Sequence, residues 1–260
     1  MTGVVFFLAF FLSCAFSSLK ALPQGNPAFP QAMERGLILP LENFVSLKGE
    51  YLGDVTWRSS FKTEEGVASK GRRLQSELHA GLLIVNILNQ FEVYGLAGAM
   101  RTRLSHAPSE GLRERKYETP FHPAWGGGGR FIAFYWKRAT LGFDGKIIAA
   151  HLPVRKISFG NTSVASDAKW RIRRLQGAGA LSYQWVFFAP YLGIRYTEVR
   201  DRIEGVSKKA LPERSFLLKN RHPLGGTVGF GLFPKDYFAI NFEARFYDEE
   251  GFSLFFDVKF

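Results

Sequence analysis

The last ten residues constrain the chain more than any other stretch. In Gly251-Phe252-Ser253-Leu254-Phe255-Phe256-Asp257-Val258-Lys259-Phe260, every second residue from Phe252 to Phe260 is apolar, and the residues between are mostly polar. Side chains of a β-strand point alternately to its two faces, so this stretch makes a strand with one apolar and one polar face. A membrane-crossing β-strand needs about 9–11 residues, apolar toward lipid and polar toward the lumen. The stretch before it repeats the pattern: Phe238, Ile240, Phe242, Ala244 and Phe246 alternate with Ala239, Asn241, Glu243, Arg245 and Tyr247, and residues 248–251 make a tight turn. An amphipathic hairpin of a soluble β-sandwich alternates in the same way, so the pattern by itself leaves both classes open.

Composition separates them further. The mean hydropathy of −0.06 is too low for a helical membrane protein, yet aromatic residues make up 15% and phenylalanine alone numbers 26. That combination suits a barrel, which shows lipid only every second residue. With 260 residues the chain has material for one barrel or for one to two soluble domains.

Residues 1–21 read as a secretory signal. The uncharged apolar run 4–11 is too short to span a bilayer as a helix, small and polar residues follow through Ser18, and cleavage is expected after Ala21. The opening Met-Thr-Gly carries no basic residue, which leaves room for a start further upstream. Cys14 offers a lipoprotein reading, against which Phe11 stands at an unusual leading position. Cys14 is also the only cysteine, so a chain from Leu22 has neither a disulfide framework nor a thiolate metal site. The formal charge is +11, an excess that suits anionic lipid or anionic solutes; export disfavours nucleic acid as a partner.

Residues 22–43, rich in proline, read as an irregular lead-in, and 44–260 as the barrel. Strands are expected near 44–57, 77–86, 91–104, 130–138, 140–150, 175–185, 192–197, 227–232, 238–247 and 252–260. Long connections (58–74, 105–125, 151–171, 201–224) alternate with short ones (86–90, 138–139, 186–190, 234–236). Bacterial outer-membrane barrels have short periplasmic turns and longer outer loops. The fold expected is therefore all-β: a transmembrane antiparallel up-and-down barrel of about ten strands with both termini periplasmic. Strands within 154–160 and 215–219 would raise the count to about twelve.

If the polar faces point inward, the candidate pore-lining residues are Lys48, Glu50, Arg195, Asn241, Glu243, Arg245, Asp257 and Lys259. Rings of charged side chains set ion selectivity in pores. The mixed signs suggest weak selectivity, tilted toward anions by the basic excess; equally, these charges could pair and plug the barrel. Eight strands are filled by their own side chains and 16–18 leave an aqueous channel, so about ten falls between. Gly193, Gly229 and Gly231 on inward faces would reduce the filling. Trp57, Trp125, Trp136, Trp170 and Trp185 lie near strand ends, where an aromatic girdle would sit. The cluster Lys169-Trp170-Arg171-Ile172-Arg173-Arg174 is expected at an outer rim, against lipid head groups or as a solvated loop end. The four glycines at 126–129 lack the Lys-Ser or Lys-Thr of a phosphate loop, and Arg130 is expected to open a strand. The five histidines are scattered without metal-ligand spacing, and no Gly-x-Ser-x-Gly motif is present. No enzyme activity, cofactor or metal is expected; a lipid-modifying barrel enzyme is the remote alternative.

A family likeness runs along the same strands. Leu22-Pro23-Gln24-Gly25-Asn26-Pro27-Ala28 looks like the mature start of the chlamydial major outer membrane protein family, and Tyr51-Leu52-Gly53-Asp54 is similar to its first strand. Asn86-Ile87-Leu88-Asn89-Gln90-Phe91-Glu92-Val93-Tyr94, then Leu96-Ala97-Gly98-Ala99, resembles its second hairpin. Ala124-Trp125, Gly129-Arg130, Trp136 and Thr140-Leu141-Gly142 look like its middle segment. Ala180-Leu181-Ser182-Tyr183 and Ala189-Pro190-Tyr191-Leu192-Gly193-Ile194 are the nearest match. Their order is more specific than any one motif. The resemblance implies a porin of the bacterial outer membrane that passes small hydrophilic solutes and doubles as envelope component and surface antigen, and it implies a homotrimer. This chain departs by its trimmed loops and by lacking cysteines after residue 21, which puts a crosslinked structural role in doubt.

The expected function is thus passive diffusion through an outer-membrane porin. A closed barrel serving as a structural envelope or surface adhesion protein is the alternative. Outer-membrane lipid, lipopolysaccharide and the barrel assembly machinery are the partners implied, with Phe260 as the terminal aromatic assembly signal.

Overall fold

The computed structural model describes residues 25–27, 44–59, 61–63, 73–106, 115–159, 162–205 and 215–260. The expected signal at 1–21 and most of the lead-in lie outside the described residues. In chain order the strands are β1 (Val45–Ser59), β2 (Phe61–Thr63), β3 (Arg73–Ile87), β4 (Phe91–His106), β5 (Arg115–Glu118), β6 (His122–Trp136), β7 (Ala139–Pro153), β8 (Lys156–Phe159), β9 (Thr162–Ala165), β10 (Lys169–Tyr183), β11 (Phe188–Val199), β12 (Asp201–Glu204), β13 (Ser215–Asn220), β14 (Leu224–Lys235), β15 (Phe238–Phe246) and β16 (Glu249–Lys259).

Ten of these form a closed wall. The order is β1-β3-β4-β6-β7-β10-β11-β14-β15-β16, every neighbouring pair is antiparallel, and β16 returns to β1 with Phe256 opposite Tyr51. Closure leaves the wall no unpaired edge. The other six strands extend the long connections: β5 continues from β4 into β8 and β9, and β12 from β10 into β13 and β2. The segments that could have raised the count to twelve are thus strands, but they stand outside the wall.

Both ends of the wall carry the features expected of the short-turn side. The amide of Phe260 donates to Leu47 O (2.9 Å), and the amide of Leu88 donates to Phe44 O (2.9 Å). Leu88 and Asn89 have φ of 56° and 52°, left-handed at the two central residues of the turn that the Gln90 amide closes on Ile87 O (3.1 Å), in a three-residue connection from β3 to β4.

Strand β6 begins eight residues earlier than the sequence suggests, at His122, so the four glycines are strand and not loop. Interior packing drives this. A Cβ on Gly128 would lie 2.3 Å from Gly145 O and 2.6 Å from Tyr94 Oη, so only glycine lets the Tyr94 ring cross there. The basic cluster at 169–174 is likewise strand, the opening of β10: Lys169, Arg171 and Arg173 face out, while Trp170, Ile172 and Arg174 are buried inside. Trp170 is therefore not part of a girdle, whereas Trp57, Trp125, Trp136 and Trp185 are 47–63% exposed on the outer face.

The outer face shows where lipid sits. Glu77 on β3, Arg101 on β4, Arg173 on β10 and Glu198 on β11 each stand ten residues from the short-turn end of their strand. Below them, no outward position on these four strands carries Asp, Glu, Lys or Arg. Ten residues rise about 33 Å along a strand, or about 25 Å along the axis of a barrel tilted by 35–45°, which matches the apolar band of a membrane barrel.

The lumen as candidate functional site

All eight residues proposed from sequence as lumen-facing point inward and are buried: Lys48, Glu50, Arg195, Asn241, Glu243, Arg245, Asp257 and Lys259. The alternation that put their neighbours in lipid put them inside.

They do not stand as free rings. Arg130, on β6, is a hub that sequence reading missed. Its Nη2 lies 3.1 Å from Glu50 Oε2, its Nη1 3.3 Å from Glu92 Oε2, and its Nε 3.3 Å from Asp144 Oδ2. One guanidinium thus gathers carboxylates from β1, β4 and β7. Lys48 reaches Glu92 at 2.5 Å, Lys146 reaches Asp144 at 3.0 Å, and the Tyr94 hydroxyl donates to Asp144 Oδ2 (2.9 Å). Glu50 faces Asp257 directly across the β1–β16 ladder.

A second network lies toward the long loops. Arg195 Nη2 is 2.6 Å from Asp248 Oδ1 and 3.3 Å from Glu249 Oε1, while Arg245 bridges Glu249 (3.2 Å) and Asp54. Thr197 donates to Asp248 Oδ2 (2.9 Å) and Ser253 to Asp54 Oδ1 (2.7 Å). Burial pushes the Asp248 carboxyl up, against the pull of the Arg195 guanidinium. Further out, Arg174 meets Asp201 at 3.2 Å.

The lumen has two sides. Along β11, β14, β15, β16 and β1 a polar stripe runs from Asp248 and Arg195 through Arg245, Glu243 and Asn241 to Asp257 and Lys259. Opposite it, β3, β4, β7 and β10 carry an apolar cluster of Leu78, Leu82, Ile84, Leu96, Met100, Ile148, Trp170 and Ile172, joined by Phe255, while Arg174 of β10 donates to Ser76 of β3 (3.3 Å) on the same side. The ambiguous run Leu82-Leu83-Ile84-Val85 resolves here, with Leu82 and Ile84 inward and Leu83 outward at 64% exposure.

Residues 25–27 lie inside this lumen. The Gly25 amide donates to Glu243 Oε2 (3.0 Å), and Asn26 Nδ2 donates to Ala189 O (2.8 Å). The Arg130 guanidinium packs 3.4 Å from where a Gly25 side chain would begin, and a Cβ on Gly142 would lie 2.8 Å from Pro27. What reads as an irregular lead-in therefore has its described part inside the barrel. A gap of about 10 Å³ remains between residues 25 and 27, Arg130, Gly142 and Asp144. Nor does Gly229 leave an opening: a Cβ there would meet the Tyr191 ring at 2.5 Å, and Tyr191 in turn donates to Glu243 (2.9 Å).

No protein-family model matches the chain, and neither does any curated protein sequence. Solved structures do. The outer membrane protein OprG of Pseudomonas aeruginosa is 10% identical, with 83% of this chain and 95% of that one covered and a TM-score of 0.39. An outer membrane channel of Pseudomonas putida F1 is 10% identical over 94% and 98%, with a TM-score of 0.40. The translocator domain of the autotransporter NalP of Neisseria meningitidis is 10% identical over 83% and 88%, with a TM-score of 0.41. Likeness at this level transfers no activity. The strand order, the closure and the uncharged outer belt describe the chain by themselves: it is a transmembrane, antiparallel, ten-stranded β-barrel.

Proposed function

We propose that the chain forms an outer-membrane channel for small hydrophilic solutes or ions, closed at rest by its own N-terminal segment. One observation carries this reading: residues 25–27 sit in the lumen beside Glu243, Arg130 and Gly142. A wall that filled its own interior would leave no room for a further stretch of chain. The seat is polar on the stripe side, and the two hydrogen bonds described there are contacts that water can replace at about 1–3 kcal/mol each.

With the segment out, the polar stripe offers a path past the apolar cluster. The sequence's lean toward anions rests on the charge of the whole chain. Among the described residues the buried ionisable side chains number nine acidic and seven basic, so the chain's basic excess is not among them. We assign the open path a mild preference for cations.

The chlamydial major outer membrane protein family remains the proposed kinship. Its support is the colinear order of the motifs, which from Tyr51 onward fall on successive barrel strands from β1 to β11. The second reading, a permanently closed barrel acting as envelope or surface protein, draws on the apolar cluster inside the lumen.

Conductance in a planar bilayer separates the two. The refolded chain from residue 22 is expected to open rarely, and the chain from residue 44 to show frequent discrete openings whose cation preference rises with Arg245→Glu. A folded barrel that stays silent in both forms would leave the closed-barrel reading.

A further inference from the structure

Just above the uncharged belt, β10 and β12 carry a patch of arginines on the outer face. Lys169, Arg171 and Arg173 of β10, Arg200 in the link before β12, and Arg202 of β12 are all exposed and share that face. Arg171 stands directly opposite Arg202 across the β10–β12 ladder, with His151 of β7 opposite it on the other side. The Arg200 amide donates to Arg173 O (3.1 Å), which holds the link against β10.

Two carboxylates share the patch with these five cations. Glu204 lies 3.2 Å from Arg171 and 3.5 Å from Arg202, and Glu198 lies 2.5 Å from Arg200. Like charges facing each other on adjacent strands oppose pairing, and one shared glutamate does not balance two guanidinium groups. The patch does not serve the lumen, because the inward neighbours Trp170 and Ile172 belong to the apolar cluster. Its height is the informative feature. Arg173 marks the top of the hydrocarbon band, so Arg171 and Arg202 stand at the level of the head groups of the outer leaflet. Guanidinium forks bind phosphate oxygens in pairs, which a lysine does not reproduce. Arg101 of β4 differs: it is already bound twice by Glu77 (2.8 and 2.5 Å) and caps the Phe121 ring.

We propose that this face of β10 and β12 binds the phosphorylated head group of an outer-leaflet lipid, with Arg171, Arg173 and Arg202 on the phosphate and Lys169 and Arg200 at its margin. The proposal stands whether or not the lumen opens.

The test uses the refolded barrel in detergent micelles, with diphosphorylated lipid A as probe and its dephosphorylated form as comparison. Bound lipid is read by native mass spectrometry after heat-modifiable migration confirms folding. Retention of the phosphorylated lipid should fall roughly tenfold in Arg171→Ala/Arg202→Ala, and about threefold in Arg171→Lys, which keeps the charge and loses the fork. Arg73→Ala/Arg103→Ala removes two exposed cations elsewhere on the rim and should stay within about twofold of the parent. Arg173→Gln, a single exposed change, supplies the reading if the double variant does not fold. Equal binding of the dephosphorylated lipid would overturn the proposal. So would an equal loss in the Arg73/Arg103 variant, which would make the attraction one of diffuse charge.

Discussion

Arg130 is the side chain on which the inner half of the barrel depends most. Among the described residues it alone is paired with carboxylates of three other strands, Glu50, Glu92 and Asp144, all buried. Replacing it by an apolar residue of similar length removes the cation and leaves the carboxylates, and breaking a buried ion pair from one side costs about 3–5 kcal/mol. Arg130→Met is therefore expected to lower the temperature at which the folded band disappears from gels of progressively heated samples, while Arg103→Met, at a side chain that is 54% exposed and 3.8 Å from Glu118, should leave it unchanged. Had Arg130 been only one of many redundant contacts, the two variants would migrate alike.

At the scale of the element, the closing strand decides whether the barrel can seal. Strand β16 pairs with β15 on one side and β1 on the other, and its register with β1 runs from Glu249 to Lys259. Phe260 extends that ladder through its amide to Leu47 O, and its ring lies against Gly49, where a Cβ would stand 3.3 Å away. Deleting Phe260 removes both contacts at the end of the β1–β16 seam that closes the wall. We expect slower assembly into the outer membrane, read as accumulation of heat-insensitive, protease-accessible chain; assembly at the parental rate would show that the terminal aromatic is dispensable. The N-terminal segment is the opposite kind of element. Its described residues, 25–27, belong to no strand and touch the wall through Glu243, Ala189, Arg130 and Gly142, so its removal should change conductance without dismantling the wall.

At the scale of the whole molecule, the barrel sorts its tryptophans by solvent. Trp57, Trp125, Trp136 and Trp185 face outward at both borders of the apolar belt, while Trp170 is fully buried inside. In vesicles whose acyl chains carry bromine, fluorescence of the first four should be quenched and that of Trp170 retained. A variant keeping only Trp170 tests this directly. Strong quenching of that single tryptophan would put β10 in the opposite facing and with it the assignment of inside and outside. The same sorting applies to charge: the chain's formal surplus of +11 is not found among the buried side chains described, which number nine acidic and seven basic.

The sequence alone determined what depends on period. Alternation along β1, β11, β15 and β16 placed Lys48, Glu50, Arg195, Asn241, Glu243, Arg245, Asp257 and Lys259 on one face, and the alternation of long and short connections gave ten strands, because both follow from neighbours along the chain. Tertiary structure decided whatever needed a partner from a distant strand. Leu82 and Leu83 are equal in sequence, and only the barrel's curvature sends one inward and the other to lipid. Trp170 looked like a girdle residue until β10 opened at Lys169. The glycines at 126–129 looked like a loop because glycine gives no facing signal, and the reason for them, the Tyr94 ring, comes from β4. Gly142 and Glu243 are far apart in sequence, and their shared contact with residues 25–27, which fills the lumen where a pore was expected, exists only once the wall has closed.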